Sequence, residues 1–209
     1  MKIFKNILLI LSVTHFSLSA DITTAYTKDG REVVLFDNGT WLYKPQKKFM
    51  EGESKSIGLT PDASTVKFTN SREKYSVWYD PKVWERDKES EVGDHEFVLK
   101  MKDEDAYAMA IYERIPIPLE KLKKIALLNM KNAAQSVKLT DEKMIKVNGE
   151  SMLSLRVEAL VEGIPFIYRG YYASGNYGTI QFITYTHISL EKEYLGAMNN
   201  LLNGLTLIK

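Results

Sequence analysis

Short apolar stretches punctuated by glycine-bearing turns run through two regions of this chain, and that punctuation limits its fold more than any other feature. From Ile22 to Lys44 the pairs Asp29-Gly30 and Asn38-Gly39 separate three strand-like segments. Both pairs accept the positive φ angles of two-residue hairpin turns. Read as two-residue loops, they pair Lys28 with Arg31 and Asp37 with Thr40. Counting outward, Val34 then faces Ala25 and Tyr43, and Phe36 faces Trp41. Strand alternation places Val34, Phe36, Trp41 and Tyr43 on one face, with Tyr26, Val33, Leu35 and Leu42 on the other. Both faces are apolar, and so small a sheet cannot bury both alone.

The second region lies late in the chain. Strands are expected at about Lys143–Val147, Ser151–Val161, Phe166–Ala173 and Thr179–Thr186, punctuated by Asn148-Gly149, Glu162-Gly163 and Ser174-Gly175-Asn176-Tyr177-Gly178. Between the two regions, Pro45 to Ala63 loses periodicity and gains Gly, Pro, Lys, Glu and Ser, which reads as a linker. Strands at Thr65–Thr69 and Tyr75–Tyr79 follow, and then Asp80-Pro81 starts a turn or single helical turn carrying Trp84. His95–Lys102 and Ala106–Glu113 read as a hairpin around a solvated tip, Asp103-Glu104-Asp105. Leu119–Ser136 reads as a helix whose stripe includes Leu119, Leu122, Ile125, Ala126, Met130 and Ala133. A last helix starts at Ser189 as N-cap, carries Glu191 and Glu193 in its first turn, and ends before Gly204. Leu190, Tyr194, Ala197, Met198, Leu201 and Leu205 form its buried face, and Thr206–Ile208 adds a short final pairing.

The first twenty residues predict export. Lys2 and Lys5 precede an apolar core at Ile7–Phe16, and Ser17-Leu18-Ser19-Ala20 supplies small residues for cleavage. That core is well short of the ~20 residues that span a bilayer, and no later stretch is apolar for long enough. The chain has no cysteine, which closes the bacterial lipoprotein route, disulfides and thiolate zinc sites together. Its core must therefore suffice unaided. Of 28 basic and 27 acidic residues, removing Lys2 and Lys5 leaves 26 against 27, a formal charge of −1. Near-neutrality argues against a nucleic-acid partner, which calls for a concentrated basic surface.

Sites for chemistry are scarce. Beyond the leader stand two histidines, His95 and His187, and no G-x-S-x-G elbow. His187 near Ser189 allows a Ser-His pairing, against the plainer reading that His187 closes a strand and Ser189 caps a helix. No H-E-x-x-H, calcium-loop or phosphate-loop spacing occurs, and no carboxylate pair stands out. No catalytic residue, metal or cofactor is expected. Two candidate binding surfaces remain. One is the meander face with Val34, Phe36, Trp41 and Tyr43, for a partner chain or glycan, against the plainer reading that this face docks on the larger domain. The other is the tyrosine-rich hairpin Tyr168, Tyr171, Tyr172, Tyr177 and Tyr185 with Arg169 and Asn176 nearby. Its binding candidates are Arg169, Tyr171 and Tyr177, because aromatics with arginine are typical of interfaces, against the plainer reading of these tyrosines as ordinary strand residues.

The order of elements from residue 64 to 209, with Tyr75-Ser76-Val77-Trp78-Tyr79-Asp80-Pro81 leading into Trp84, the mid-chain amphipathic helix, Asn148-Gly149 and the closing Leu201-Leu202-Asn203-Gly204-Leu205, resembles the PsbP-like superfamily. The resemblance implies an α+β fold, a central antiparallel sheet flanked by helices in an α-β-α sandwich, and a non-catalytic assembly or binding role. Residues 29–43, DGREVVLFDNGTWLY, resemble a short motif found near the mature N-terminus of exported bacterial proteins of unknown function. The expected organisation is a signal peptide at 1–20, a three-stranded β-meander at 21–44, a linker at 45–63 and a PsbP-like domain at 64–209. The expected role is that of an exported, periplasmic or secreted, accessory protein whose partner is another protein or a small-molecule ligand of the cell envelope, with no transmembrane span once the signal is cleaved. The alternatives are an envelope hydrolase using His187 or carboxylates, and a binder of apolar ligands between sheet and helix.

Overall fold

The computed structural model describes residues 24–26, 32–35, 41–43, 64–91 and 95–208. The expected signal segment, Met1–Ala20, and the expected linker, Pro45–Ala63, lie outside the described residues. Three sheets are present among those described. The first is the meander, with β1 (Thr24–Tyr26), β2 (Glu32–Leu35) and β3 (Trp41–Tyr43) in sequence order.

The meander's register differs by one from that expected. Ala25 pairs with Val33 and Tyr26 with Glu32, and across β3 Val33 pairs with Tyr43 and Leu35 with Trp41. Five residues thus separate Tyr26 from Glu32, and five separate Leu35 from Trp41. Two-residue loops cannot give an odd interval. The same X-X-Gly letters also serve three-residue hairpin loops, whose last position favours glycine. A one-residue slip exchanges faces. Trp41 and Tyr43 therefore line up with Leu35 and with Val33, which is buried, while Val34 lines up with Thr24 and Leu42 on the opposite side.

The rest of the described chain is an α-β-α sandwich. β4 (Val66–Thr69) and β5 (Tyr75–Tyr79) lead to β6 (Trp84–Arg86), β7 (His95–Met101) and β8 (Ala106–Glu113). After helix α1 (Leu119–Ala133) come β9 (Ser136–Val147), β10 (Glu150–Val161), β11 (Ile164–Gly175) and β12 (Gly178–His187). Helix α2 (Glu191–Asn203) and β13 (Leu205–Leu207) close the order. A seven-stranded antiparallel sheet runs β6-β7-β8-β12-β11-β10-β9, and a small sheet runs β13-β5-β4.

Each face of the large sheet carries its own core. On one face, Leu122, Ala126 and Met130 of α1, spaced to share one helix face, pack on Leu153, Leu155, Val157 and Ile183. On the other, Tyr194, Met198, Leu201 and Leu202 of α2 pack with Tyr75 and Val77 of the small sheet on Phe97, Met152 and Phe182. The turns follow the sequence signals. Val147 pairs with Glu150 and Val161 with Ile164, enclosing Asn148-Gly149 and Glu162-Gly163, all four at positive φ as the mirror-image two-residue turn requires.

Other elements depart from expectation. α1 stops at Ala133, because Ala134 is already extended and the Gln135 N–H donates to the Leu160 carbonyl. β9 therefore opens seven residues before the expected Lys143. Its first half is polar because it is the sheet's edge, and a bulge at Thr140 lets the Thr140 hydroxyl donate to the Arg156 carbonyl. The Asp80 turn forms, with the Asp80 carbonyl accepting from the N–H groups of Val83 and Trp84, but Trp84 itself opens β6 opposite Met101. Ser189 does not cap α2. It lies in a 3-10 turn at Ile188–Leu190, where its N–H donates to His187 Nδ1. The acidic tip is not merely solvated, since Glu104 accepts a 2.5 Å hydrogen bond from the Tyr194 hydroxyl of α2.

The end of α2 is held by close approach. The Trp78 N–H donates to the Gly204 carbonyl at 3.0 Å, and a Cβ on Gly204 would collide with the Trp78 carbonyl oxygen. Asn148 Nδ2 meanwhile donates to the carbonyls of Asn203 at 2.9 Å and Leu205 at 2.8 Å. Gly204→Ala should lower stability by about 3 kcal/mol, the cost of forcing a methyl into packed backbone. Urea unfolding of the variant checks this.

Candidate functional site

α2 positions a cleft of about 400 Å³ against the turn between β5 and β6. The helix contributes Gly196, Ala197, Asn200 and Leu201, and the turn contributes Asp80, Val83 and Trp84. Ser64, just before β4, completes the lining. Val83, Ala197, Leu201 and the buried Trp84 make an apolar floor, while Ser64, Asp80 and Asn200 bring polar groups. The turn orients Asp80, whose Oδ1 accepts the Lys82 N–H at 2.8 Å. Gly196 sits in the body of the helix with nothing within 4 Å of where a Cβ would stand. This cleft is open and polar-rimmed, unlike an enclosed apolar cavity between sheet and helix. Its residues were not singled out in the sequence because they come from three distant segments. The readable signal was a glycine inside an otherwise well-formed helix.

The sequence-predicted residues lie elsewhere. Of the meander candidates, Val34, Trp41 and Tyr43 stand in β2 and β3 with the register given above, and Phe36 lies outside the described residues. The tyrosine-rich hairpin does not present one surface. Tyr171 belongs to the α2 face and donates from its hydroxyl to Asn203 Oδ1 at 2.9 Å. Tyr168, Tyr172 and Tyr185 belong to the α1 face, where Tyr168, Tyr185 and Tyr107 stack across three strands at 5.4 and 5.3 Å. Burial pushes the Tyr168 phenol up to about 12. Tyr177 is half-buried beside Gly175 at the β11–β12 turn.

Arg169 is engaged in an ion cluster at the start of α2. Glu191 accepts from Arg156 at Nε (2.9 Å) and Nη2 (2.5 Å), and from Arg169 Nη1 at 2.9 Å. Arg156 and Arg169 are directly paired residues of β10 and β11, so one carboxylate bridges two like charges. Arg156 Nη1 also donates to Glu158 and to the Thr140 hydroxyl at the bulge. The Arg156 hydrogen bonds, reinforced by the one from Arg169, hold the Glu191 carboxyl below the usual glutamate range. The arrangement fastens the helix to the sheet, as a partly buried bidentate pair does.

His187 lies 2.7 Å through Nδ1 from the Ser189 hydroxyl, at an exposed position two residues apart. No carboxylate among the described residues pairs with this imidazole, and neither residue lines the cleft. Among the described residues no three His, Cys, Asp or Glu side chains group to hold a metal ion. Nor is any helix among them long and apolar enough to cross a membrane.

No protein-family model matches the sequence, and no curated protein matches it. Solved structures do. Cyanobacterial PsbP (CyanoP) from Synechocystis sp. PCC 6803 aligns with a TM-score of 0.52 at 16% identity, covering 75% of this chain and 100% of that one. LpqN, involved in cell envelope biogenesis of Mycobacterium tuberculosis, gives 0.48 at 12% identity, covering 76% and 100%. A Pseudomonas aeruginosa protein of unknown function gives 0.42 at 12%, covering 86% and 97%. The likeness to cyanobacterial PsbP is one of fold, and the domain has a PsbP-like fold.

Two measurements follow from the geometry. Gly196→Ala should raise stability by about 0.5–1 kcal/mol, since alanine is the better helix former and no neighbour obstructs it; thermal unfolding reads this. Glu191→Gln should cost about 1–3 kcal/mol near neutral pH by removing charge-assisted hydrogen bonds. Because the folded protein lowers the Glu191 pKa, that difference is fully present above the ordinary glutamate value of about 4.3 and is lost as pH falls through the lowered one. Denaturant unfolding of both proteins from neutral to acid pH checks the sign.

Proposed function

We propose that this chain is an exported, non-enzymatic accessory protein of the cell envelope that recognises another envelope protein through its N-terminal meander. The observation supporting this reading is that the meander's three strands hydrogen-bond to one another in a sheet of their own, distinct in strand order from both sheets of the large domain. Its register lines Trp41 and Tyr43 up with Leu35 and Val33, so large apolar and aromatic residues fall in one row across two strands. Aromatic residues concentrated on a small surface make strong anchors for a partner chain. A PsbP-like domain behind it supplies a stable platform, and the leader-like Met1–Ala20 supports delivery to the envelope.

A second reading is favoured by the cleft beside α2, whose volume of about 400 Å³ suits a small ligand. It differs from the expectation of an apolar site between sheet and helix, because polar groups of Ser64, Asp80 and Asn200 stand at this cleft.

The first reading is tested with the chain carrying Trp41→Ala and Tyr43→Ala. Immobilised on resin and exposed to envelope extract, the double variant should lose a crosslinked partner that the unaltered chain retains, while its far-ultraviolet circular dichroism and melting temperature stay the same. Retention of that partner by the double variant would reject the meander as the recognition surface.

A further inference from the structure

Two features of the cleft beside α2 have no explanation in the packing of the described residues. The first is Gly196. A glycine inside a helix costs about 1 kcal/mol relative to alanine, and here a Cβ would meet nothing within 4 Å. Sterics within the chain therefore do not demand it. Glycine is also the residue that lets a ligand lie close against backbone, and the bare strip at Gly196 forms one wall of the cleft.

The second is Asp80. Its Oδ1 is held by the Lys82 N–H, which fixes the carboxylate, and among the described residues no side chain pairs with Oδ2. It is also the charged residue of a lining whose other members are Ser64, Asn200, Gly196 and apolar side chains. A fixed carboxylate beside an apolar floor containing Trp84 selects for a cation carrying a short apolar body. An anion would meet Asp80 unfavourably, and a neutral ligand would leave the carboxylate partly dehydrated without a counter-charge.

We infer that the cleft binds a small primary ammonium ligand, its cation on Asp80 and its apolar body laid over Gly196 and Trp84. An ammonium has three N–H donors and no acceptor. The Asp80 carboxylate, the Ser64 hydroxyl and the Asn200 side-chain carbonyl supply three acceptors in one lining. The ligand chemistry is the same for a free amine and for the N-terminus of a peptide. At about 400 Å³ the space takes a ligand of one or two residues' size and excludes a folded partner.

This inference rests on the second reading above, and the test separates the two. The full chain, labelled with nitrogen-15, is titrated with phenethylammonium, 2-phenylethanol and phenylacetate, and with the dipeptide Ala-Phe bearing a free or an acetylated N-terminus. The amine should give saturable shifts at the Gly196 amide and the Trp84 indole, with the alcohol weaker by about tenfold, the loss of one charge-assisted contact. Asp80→Asn, which keeps the acceptor that the Lys82 N–H needs, should bring amine binding down to the alcohol's level. Gly196→Leu, on an open helix surface, should abolish binding without lowering the melting temperature. Binding of the dipeptide only with a free terminus would assign the ligand to peptide ends, and binding of the small amine alone would assign it to free amines; either supports the inference. Alcohol or acid binding as tightly as the amine, or undiminished amine binding by Asp80→Asn, would overturn the ammonium assignment and leave the cleft reading standing. No saturable shift with any probe would overturn both.

Discussion

The fold depends on burying β12 on every side at once. That strand is flanked by β8 and β11, lends Ile183 and Tyr185 to the core that α1 helps to build and Ile180 and Phe182 to the core under α2, and nine of its ten residues are buried. A strand so enclosed must satisfy its polar side chains within the protein. It does so with threonines: Thr184 donates to the Arg169 carbonyl, Thr186 to the Asp105 carbonyl and Thr179 to the Ile115 carbonyl. Each of these hydroxyls also fixes something outside the strand. Thr186 pins the acidic hairpin that reaches Tyr194, and Thr179 pins the approach to α1 through the Ile115 carbonyl and the Ile117 N–H.

The placement of α2, and with it the cleft, follows from that covering requirement. Its first residue is anchored by two arginines that stand side by side on β10 and β11. Its last turn is anchored by backbone contact with Trp78 and by the Asn148 side chain. Between these fixed ends, Tyr194, Met198, Leu201 and Leu202 face the core. Gly196 and Asn200 are left looking toward the Asp80 turn. The cleft is thus a gap beside a helix held at both ends.

How much of this could be read beforehand depended on whether the signal was local. The hairpins of the large sheet were legible because Asn148-Gly149 and Glu162-Gly163 have few alternatives to a tight turn. The faces of α1 and α2 were legible from the spacing of Leu122, Ala126 and Met130, and of Tyr194, Met198 and Leu201. The start of β9 was not, because an edge strand keeps polar residues on both sides and its bulge at Thr140 breaks alternation. The meander register was ambiguous because a glycine two or three places into a loop is spelled by the same letters. Ser189 has the letters of a cap, but its hydroxyl and its own N–H both meet the His187 ring, and α2 begins after Leu190. The cleft was hidden for a different reason: residues 64, 80–84 and 196–201 meet only when the small sheet and α2 lie together, which no local pattern states.

The pairing of β13 with β5 bears on the order of assembly. Leu205 pairs with Val77 across nearly the whole length of the domain, and the small sheet is incomplete until residues 205–207 have left the ribosome. Contacts so distant in sequence form slowly. Until then β5 has an open edge, the last turn of α2 has no clamp, and one face of the large sheet is uncovered. The small sheet, the clamp on α2 and the cover over that face of the large sheet therefore complete together, through one short strand at residues 205–207.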